Sequence, residues 1–323
     1  MRDQWGRKIE YLRISVTDRC NLRCRYCMPP EGIQLFSHED ILNYGEIVKI
    51  TSLLSELGIK KVRLTGGEPL VRRDIHLLVE AIKEIPGIEK LMMTTNGVDL
   101  KSKLPKLMEA GLDGVNISID TINEATFKEI TGRTGLHDVL EGIQSAKEAG
   151  LEVKLNCVLS DMNREDVFDL IDYFCYEQDL TLRFIQWMPM GQDHRGQGLT
   201  EKELRSFIEK NYGEIRSVSS GKNAGPAQYM TAKHLKGKVG FISALSNCFC
   251  QDCNRIRLTS TGFLKTCLQY NHGLDLRKIL EAPDEMIKEE ILKTVYNKPE
   301  GHNFHHVNEL KNRDKHGMSQ IGG

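Results

Sequence analysis

The sequence predicts an α/β fold: an incomplete (β/α)6 barrel, open on one side, followed by a C-terminal extension. Three observations predict it. Short β-branched or apolar runs alternate with amphipathic segments from residue 11 to about residue 190, the pattern of βα units around a parallel sheet. The 323 residues exceed a usual single domain but suit a barrel with an appendage. After Met190 the alternation gives way to Gly-, Gln- and Lys-rich sequence, which divides the chain into residues 1–190 and 191–323.

Six strands are expected, at Tyr11–Thr17, Val62–Thr65, Leu91–Thr95, Val115–Ile119, Val153–Leu159 and Leu182–Trp187. Each is apolar enough to be covered on the outside by helices. Between them, Ile47, Ile50, Leu54 and Leu57 keep one helical face before Gly58, as do Ile75, Leu78, Val79 and Ile82 before Pro86-Gly87. In the extension, the stretch from Gly191 to Gly225 reads as irregular. Strand-like pieces follow at Lys238–Ser243 and Arg255–Lys265, the latter broken by a Thr261-Gly262 turn. Met286–Val295 reads as an amphipathic helix, and the chain ends in Ile321-Gly322-Gly323.

A net charge of -1 argues against bulk binding to nucleic acid or an acidic membrane, yet allows a local group of arginines around a polyphosphate. No run of about 18 apolar residues is present, so a soluble, cytoplasmic protein is expected, with no membrane partner. In that compartment thiols stay reduced, so the nine cysteines point to metal ligation rather than disulfides, and their spacing decides which of them serve.

Cys20-x3-Cys24-x2-Cys27 directly follows the first strand, where barrel folds place their chemistry. Three thiolates bind three irons of a 4Fe-4S cluster and leave the fourth open, whereas a structural zinc or an electron-transfer cluster takes four ligands. A zinc knuckle completed by a distant ligand is the alternative. The spacing resembles the signature of the radical S-adenosylmethionine superfamily. That resemblance implies that the open iron binds the amino and carboxylate groups of S-adenosylmethionine, and that reductive cleavage yields a 5′-deoxyadenosyl radical. Tyr26 matches the aromatic position of the superfamily motif; taken alone it would be ordinary packing. Gly66-Gly67-Glu68-Pro69 follows the second strand. Small residues there admit a ligand to the backbone, and the carboxylate can accept from a cation. Alone it is a turn signal; beside the cysteine loop it resembles the motif that holds the S-adenosylmethionine ammonium, which implies that Gly67 contacts the cofactor.

A second group, Cys250-x2-Cys253-x13-Cys267, lies beyond the barrel and again offers three ligands. Arg255 and Arg257, two apart in Asn254-Arg255-Ile256-Arg257, share a strand face and form a cationic wall beside it. Both spacings, the Cys-Asn-Arg-Ile-Arg-Leu run and the terminal Gly-Gly resemble the GTP 3′,8-cyclase family of molybdenum cofactor synthesis over essentially the whole chain. The resemblance implies a second 4Fe-4S cluster whose open iron binds guanine, and a triphosphate held by Arg13, Lys61, Arg63, Lys154, Arg183, Arg255 and Arg257. It implies that Thr94 is a further substrate contact and that Ser118 and Met188 contact S-adenosylmethionine. It also implies that Gly322 and Gly323 reach into the cavity and support catalysis. The implied reaction removes the ribose 3′ hydrogen of GTP and joins that carbon to guanine carbon 8. The implied partners are a downstream cyclic pyranopterin monophosphate synthase and an electron donor, and a homodimer is compatible with the sequence.

Independently of the resemblance, Arg13, Arg63, Lys154 and Arg183 all occur inside otherwise apolar strands, where charge is costly unless paired or facing a polar cavity. Four cations from four strands favour a phosphate-lined interior over separate buried salt bridges. Two other readings compete. A two-cluster peptide maturase would carry a longer, seven-cysteine extension, and an electron carrier would ligate each cluster with four cysteines. Cys248 reads as a free thiol, and Cys157 and Cys175 as small buried hydrophobes. Gln186 stands where a carboxylate is common in the family.

Overall fold

The structure, a computed structural model, describes residues 1–28, 32–188, 198–219, 225–304 and 318–322. Strand β1 (Tyr11–Ser15) is followed by α1 (Tyr44–Glu56), β2 (Lys61–Thr65), α2 (Ile75–Lys83), β3 (Lys90–Thr95), α3 (Leu100–Glu109) and β4 (Gly114–Ser118). Helices α4 (Glu124–Thr131) and α5 (Leu136–Glu148) precede β5 (Glu152–Val158). Helix α6 (Asp166–Ile171), prolonged by a π-helical turn at Asp172–Tyr176, leads to β6 (Thr181–Ile185). All six strands match expectation to within two residues.

Local chemistry explains the alternation. The side chain of Asn43 accepts the Glu46 amide at 2.9 Å while Glu46 accepts the Asn43 amide at 2.7 Å, a capping box that starts α1 and aims Ile47, Ile50 and Leu54 at the sheet. Along β1, Leu12 and Ile14 are fully buried under the helices, while Tyr11 and Arg13 face the interior. The two-residue period of a strand divides its side chains in this way. Strands β1 to β6 are joined in parallel in sequence order, which makes the incomplete (β/α)6 barrel.

Beyond residue 190 the chain forms α7 (Glu201–Tyr212), β7 (Ile215–Val218), β8 (Gln228–Ala232), β9 (Lys238–Ile242), β10 (Arg255–Leu258), β11 (Phe263–Lys265), β12 (Gly273–Asp275), α8 (Asp284–Tyr296) and the short α9 (Met318–Ile321). Helix α7 lies in the stretch read as irregular. Its signals were a Thr200/Glu203 capping box and a buried face of Leu204, Ile208 and Tyr212, hidden by the polar composition around them.

The extension does more than cover the opening. Strand β9 pairs in parallel with β6, Thr181 opposite Lys238, and β10 pairs in parallel with β1, Tyr11 opposite Arg255. One twelve-stranded sheet results, in the order β12-β11-β10-β1-β2-β3-β4-β5-β6-β9-β8-β7. Both edges of the six-strand barrel are thereby continued by later chain.

Candidate active site

The interior of the curved sheet is a cavity of about 730 Å³, and all six motif cysteines line it. They lie at opposite ends. Cys20, Cys24 and Cys27 follow the carboxyl end of β1, whereas Cys253 precedes β10, which runs parallel to β1, and Cys267 follows the antiparallel β11. The second triad is therefore at the amino-terminal end of the barrel strands.

The first cysteine loop is zipped to the glycine-rich turn. Gly67 donates its amide to the Thr17 carbonyl at 2.7 Å, and Glu68 to that of Arg19 at 2.8 Å. A Cβ on Gly67 would lie 2.3 Å from the Arg19 oxygen, so only glycine permits the approach. The Glu68 carboxylate, expected to be open to a cation, instead accepts from Thr95 Oγ1 at 2.7 Å, the Asn96 amide at 2.7 Å and the Leu70 amide at 3.0 Å. Burial lifts its carboxyl to about 7 against those hydrogen bonds. Burial likewise pushes the Cys24 thiol well up, with Cys27, Asp120 and Cys20 adding to it. Tyr26 donates to Asp120 at 2.8 Å and meets Trp187 edge-on with ring centroids 6.4 Å apart. Ser118 and Met188 line the cavity, together with Asn116 and Asn156, whose Oδ1 atoms are buried with no hydrogen-bond partner among the described residues.

The donor sets fit clusters better than single ions. Among the described residues, neither cysteine triad brings its three sulfurs within 4.8 Å of one another. A cluster holds its thiolates on separate irons and so spreads them, while one ion gathers them.

Between the two ends lies a cationic belt. Among the described residues, ten Lys or Arg side chains but only two carboxylates, Glu68 and Glu152, line the cavity, although the whole chain has a net charge of -1. The register explains the belt: Arg257, Arg13 and Arg63 are consecutive partners across β10, β1 and β2, and Arg255, Tyr11 and Lys61 form the row below. Burial, and then repulsion from Arg257, Arg63 and Arg255, weakens the hold of Arg13 on its proton, against an opposing pull from Tyr11. Arg257 is brought down to about 10 by burial and by Arg255. Burial raises the Tyr11 phenol, but Arg63 and Arg13 overcome this and bring it to about 8. Arg63 also donates to Thr94 at 3.3 Å. Arg183 is buried, and its Nε and Nη2 find no hydrogen-bond partner among the described residues. Lys154 differs from the others, because it and Lys90 both pair with Glu152. An interior of this sign favours a polyanion.

Two residues here, Lys298 and Arg7, carried no readable signal. Lys298, 2 % exposed, donates to the carbonyls of Arg255 and Thr266. Arg7 pairs with Asp3 at 2.6 Å and donates to the carbonyls of Cys250, Pro299 and Glu300 at 2.8, 2.6 and 2.6 Å, bracing the second cysteine loop. Gly322 enters the site: its carbonyl accepts from Arg257, and a Cβ there would come 3.0 Å from Thr65 and 3.2 Å from Ser15. Ile321 and Met318 anchor it on Phe304, Met188, Leu245 and Leu268. Gly323 lies outside the described residues. Cys157 and Cys175 are fully buried, and Cys248 is exposed. Gln186 accepts the amides of Leu245 and Ser246 at 2.9 and 3.1 Å through Oε1, a role a carboxylate oxygen would fill equally.

The Radical SAM superfamily matches residues 14–174, and Molybdenum Cofactor Synthesis C matches residues 180–304. The chain is 45% identical to a GTP 3′,8-cyclase of Clostridium perfringens and 42% identical to one of Petrotoga mobilis, in each case over 100% of both chains. It is 41% identical to the GTP 3′,8-cyclase of Listeria monocytogenes over 100% of this chain and 99% of the relative. Among solved structures, Streptococcus suis SuiB bound to S-adenosylmethionine superposes with a TM-score of 0.64 at 15% identity, over 90% of this chain and 68% of the other. anSMEcpe with bound AdoMet gives 0.60 at 16% identity, over 92% and 79%. These two likenesses concern the fold.

Proposed function

Because the chain belongs to the GTP 3′,8-cyclase family, we propose that it cyclises GTP in a reaction dependent on S-adenosylmethionine. The product is (8S)-3′,8-cyclo-7,8-dihydroguanosine 5′-triphosphate, in the first step of molybdenum cofactor biosynthesis. The observation that carries this reading is the cationic belt between two three-cysteine sets at opposite ends of one cavity.

In this reading Cys20, Cys24 and Cys27 hold one 4Fe-4S cluster and Cys250, Cys253 and Cys267 a second. When bound, the first cluster and S-adenosylmethionine supply one-electron chemistry, a step that belongs to the cofactor rather than to side chains. The chain's own residues bind and orient. Tyr26, Gly67, Ser118 and Met188 border the cofactor. Arg13, Lys61, Arg63, Lys154, Arg183, Arg255 and Arg257, with Thr94, hold GTP so that its ribose faces the first cysteine loop and its base the second. Fixing the ribose 3′ carbon and guanine carbon 8 within reach of each other replaces an entropic cost with prepaid binding. Gly322, whose carbonyl meets Arg257, helps position the substrate together with Gly323.

Residues 1–190 act as the cofactor-binding partial barrel, and residues 191–323 supply the second cluster and the tail. The product passes to a cyclic pyranopterin monophosphate synthase, a separate protein donates electrons, and the enzyme works in the cytoplasm. The peptide-maturase reading lacks support of equal weight, since the chain beyond residue 190 carries only Cys248, Cys250, Cys253 and Cys267 and not seven cysteines. Anaerobic reconstitution, iron and sulfide counting, and incubation with GTP and S-adenosylmethionine test the proposal. Formation of 5′-deoxyadenosine together with the cyclic nucleotide is expected. Cleavage of S-adenosylmethionine with GTP recovered unchanged would overturn the substrate assignment.

A further inference from the structure

One group of ligands is assembled outside the cysteine triads. Cys248, Cys250 and His302 bring two thiol sulfurs and one ring nitrogen within 4.8 Å of one another, the only such group of three among the described residues. The two cysteines are neighbours in sequence, but His302 is brought to them from more than fifty residues away by the fold. Its Nε2 is 2.8 Å from the carbonyl of Ala244, which assigns the proton to that nitrogen and leaves a lone pair on Nδ1. Nδ1 is buried and has no hydrogen-bond partner among the described residues. The ring is further held by Phe304, with centroids 4.7 Å apart. A histidine that donates one N–H to a backbone carbonyl keeps its other nitrogen able to take a metal, as metal-ligating histidines do, and the ring lies with a nitrogen within 4.8 Å of both sulfurs.

We propose that Cys248, Cys250 and His302 form a mononuclear zinc site that is exclusive with the second cluster, because both require the Cys250 sulfur. Two thiolates and a neutral imidazole are a borderline-soft donor set that suits tetrahedral zinc with a fourth position for water. Binding releases the two thiol protons and involves no change of oxidation state. The site holds the cysteine loop in the cluster-free chain and sets a competition between zinc and cluster assembly. Cys248 is the residue that creates this competition, since the cluster triad does not use it.

The metal site stands without the cyclase reading; only the competition rests on it, and the two arms are separate. In the full chain carrying C20A, C24A, C27A, C253A and C267A, cobalt(II) serves as the spectroscopic probe. One equivalent is expected to bind, with thiolate-to-cobalt charge transfer and tetrahedral ligand-field bands, and to be displaced by zinc. Adding C248S or H302Q should weaken binding by at least about tenfold. Equal binding in either variant, or none in a chain shown to be folded by circular dichroism, overturns the site. Should that chain not fold, the second arm uses the otherwise unaltered protein. One equivalent of zinc given before anaerobic reconstitution should slow loading of the second cluster, read from iron content, and C248S should remove the slowing. Slowing that persists in C248S, or no slowing at all, overturns the proposal. Loss of GTP turnover with both arms intact would instead refute the cyclase reading alone.

Discussion

Cys250 and Cys253 are three residues apart, yet their thiols are held in different states. Burial raises both, but at Cys253 the Lys298 ammonium and the Arg255 guanidinium reverse it and bring the thiol down to about 7. At Cys250 burial is reinforced by Cys248, and the thiol goes up to about 12. The thiolate is the reactive form, so in cluster-free protein Cys253 should be alkylated at a rate that rises with pH, half-maximal near 7, while Cys250 stays slow. Replacing Lys298 with Met removes a cation that favours the thiolate and should move the Cys253 midpoint to higher pH. Pulsed alkylation with peptide mass analysis reads both, and an unmoved midpoint would show that Lys298 does not act on Cys253. The arginines of the belt give a second prediction. Arg255→Ala and Arg257→Ala should each weaken GTP binding by about 1.5–3 kcal/mol, the worth of a charged hydrogen bond. Because Arg257 also holds the Gly322 carbonyl, its loss should reduce turnover more than the loss of Arg255 does. Equilibrium binding and single-turnover assays of the two variants separate these effects, and unchanged values in both would return the arginines to a structural role.

At the scale of elements, the glycine-rich turn and the C-terminal tail are both fitted against β1 by the absence of a side chain. Gly67→Ala places a methyl group 2.3 Å from a backbone oxygen of the cysteine loop, and rigid backbone has to give way. Iron and sulfide bound by the first triad should fall, with the second triad still loaded. Full loading of both would show that the loops tolerate separation. The tail behaves differently, since Ile321 and Met318 place it in a small apolar cluster apart from the main core. Deleting Gly322 and Gly323 should therefore leave thermal stability and both clusters nearly intact while abolishing cyclisation, because the loss is one of positioning. Full activity in the truncated protein, with cluster content verified, would contradict that role. The strands themselves were legible because each alternates or runs apolar over five to seven residues. Helix α7 was not, since its three buried residues are spread through a charged sequence.

At the scale of the whole molecule, the later chain completes the barrel from both sides. Removing it would expose the backbone edges of β1 and β6, which β10 and β9 now cover. A chain ending at residue 190 should therefore aggregate rather than remain a monomeric partial barrel, as size-exclusion chromatography would show. A monodisperse, cooperatively unfolding fragment would mean that the six strands are sufficient alone. The cation positions on β1, β2, β5 and β6 and both cysteine triads were readable in the sequence, because strand parity and ligand spacing depend on neighbours a few residues apart. Gly322 was marked only through the resemblance of the terminal Gly-Gly to the cyclase family. Local logic could not find Arg7 reaching Cys250 across 243 residues, Lys298 beneath Arg255, or His302 beside Cys248. Nor could it tell that β9 and β10 take opposite edges of one sheet. The sequence by itself determined the periodic elements and the chemistry each one carries. The tertiary structure alone decided which elements are neighbours, because strand pairing and the burial of distant polar groups are settled by contacts between segments that have no local signature of each other.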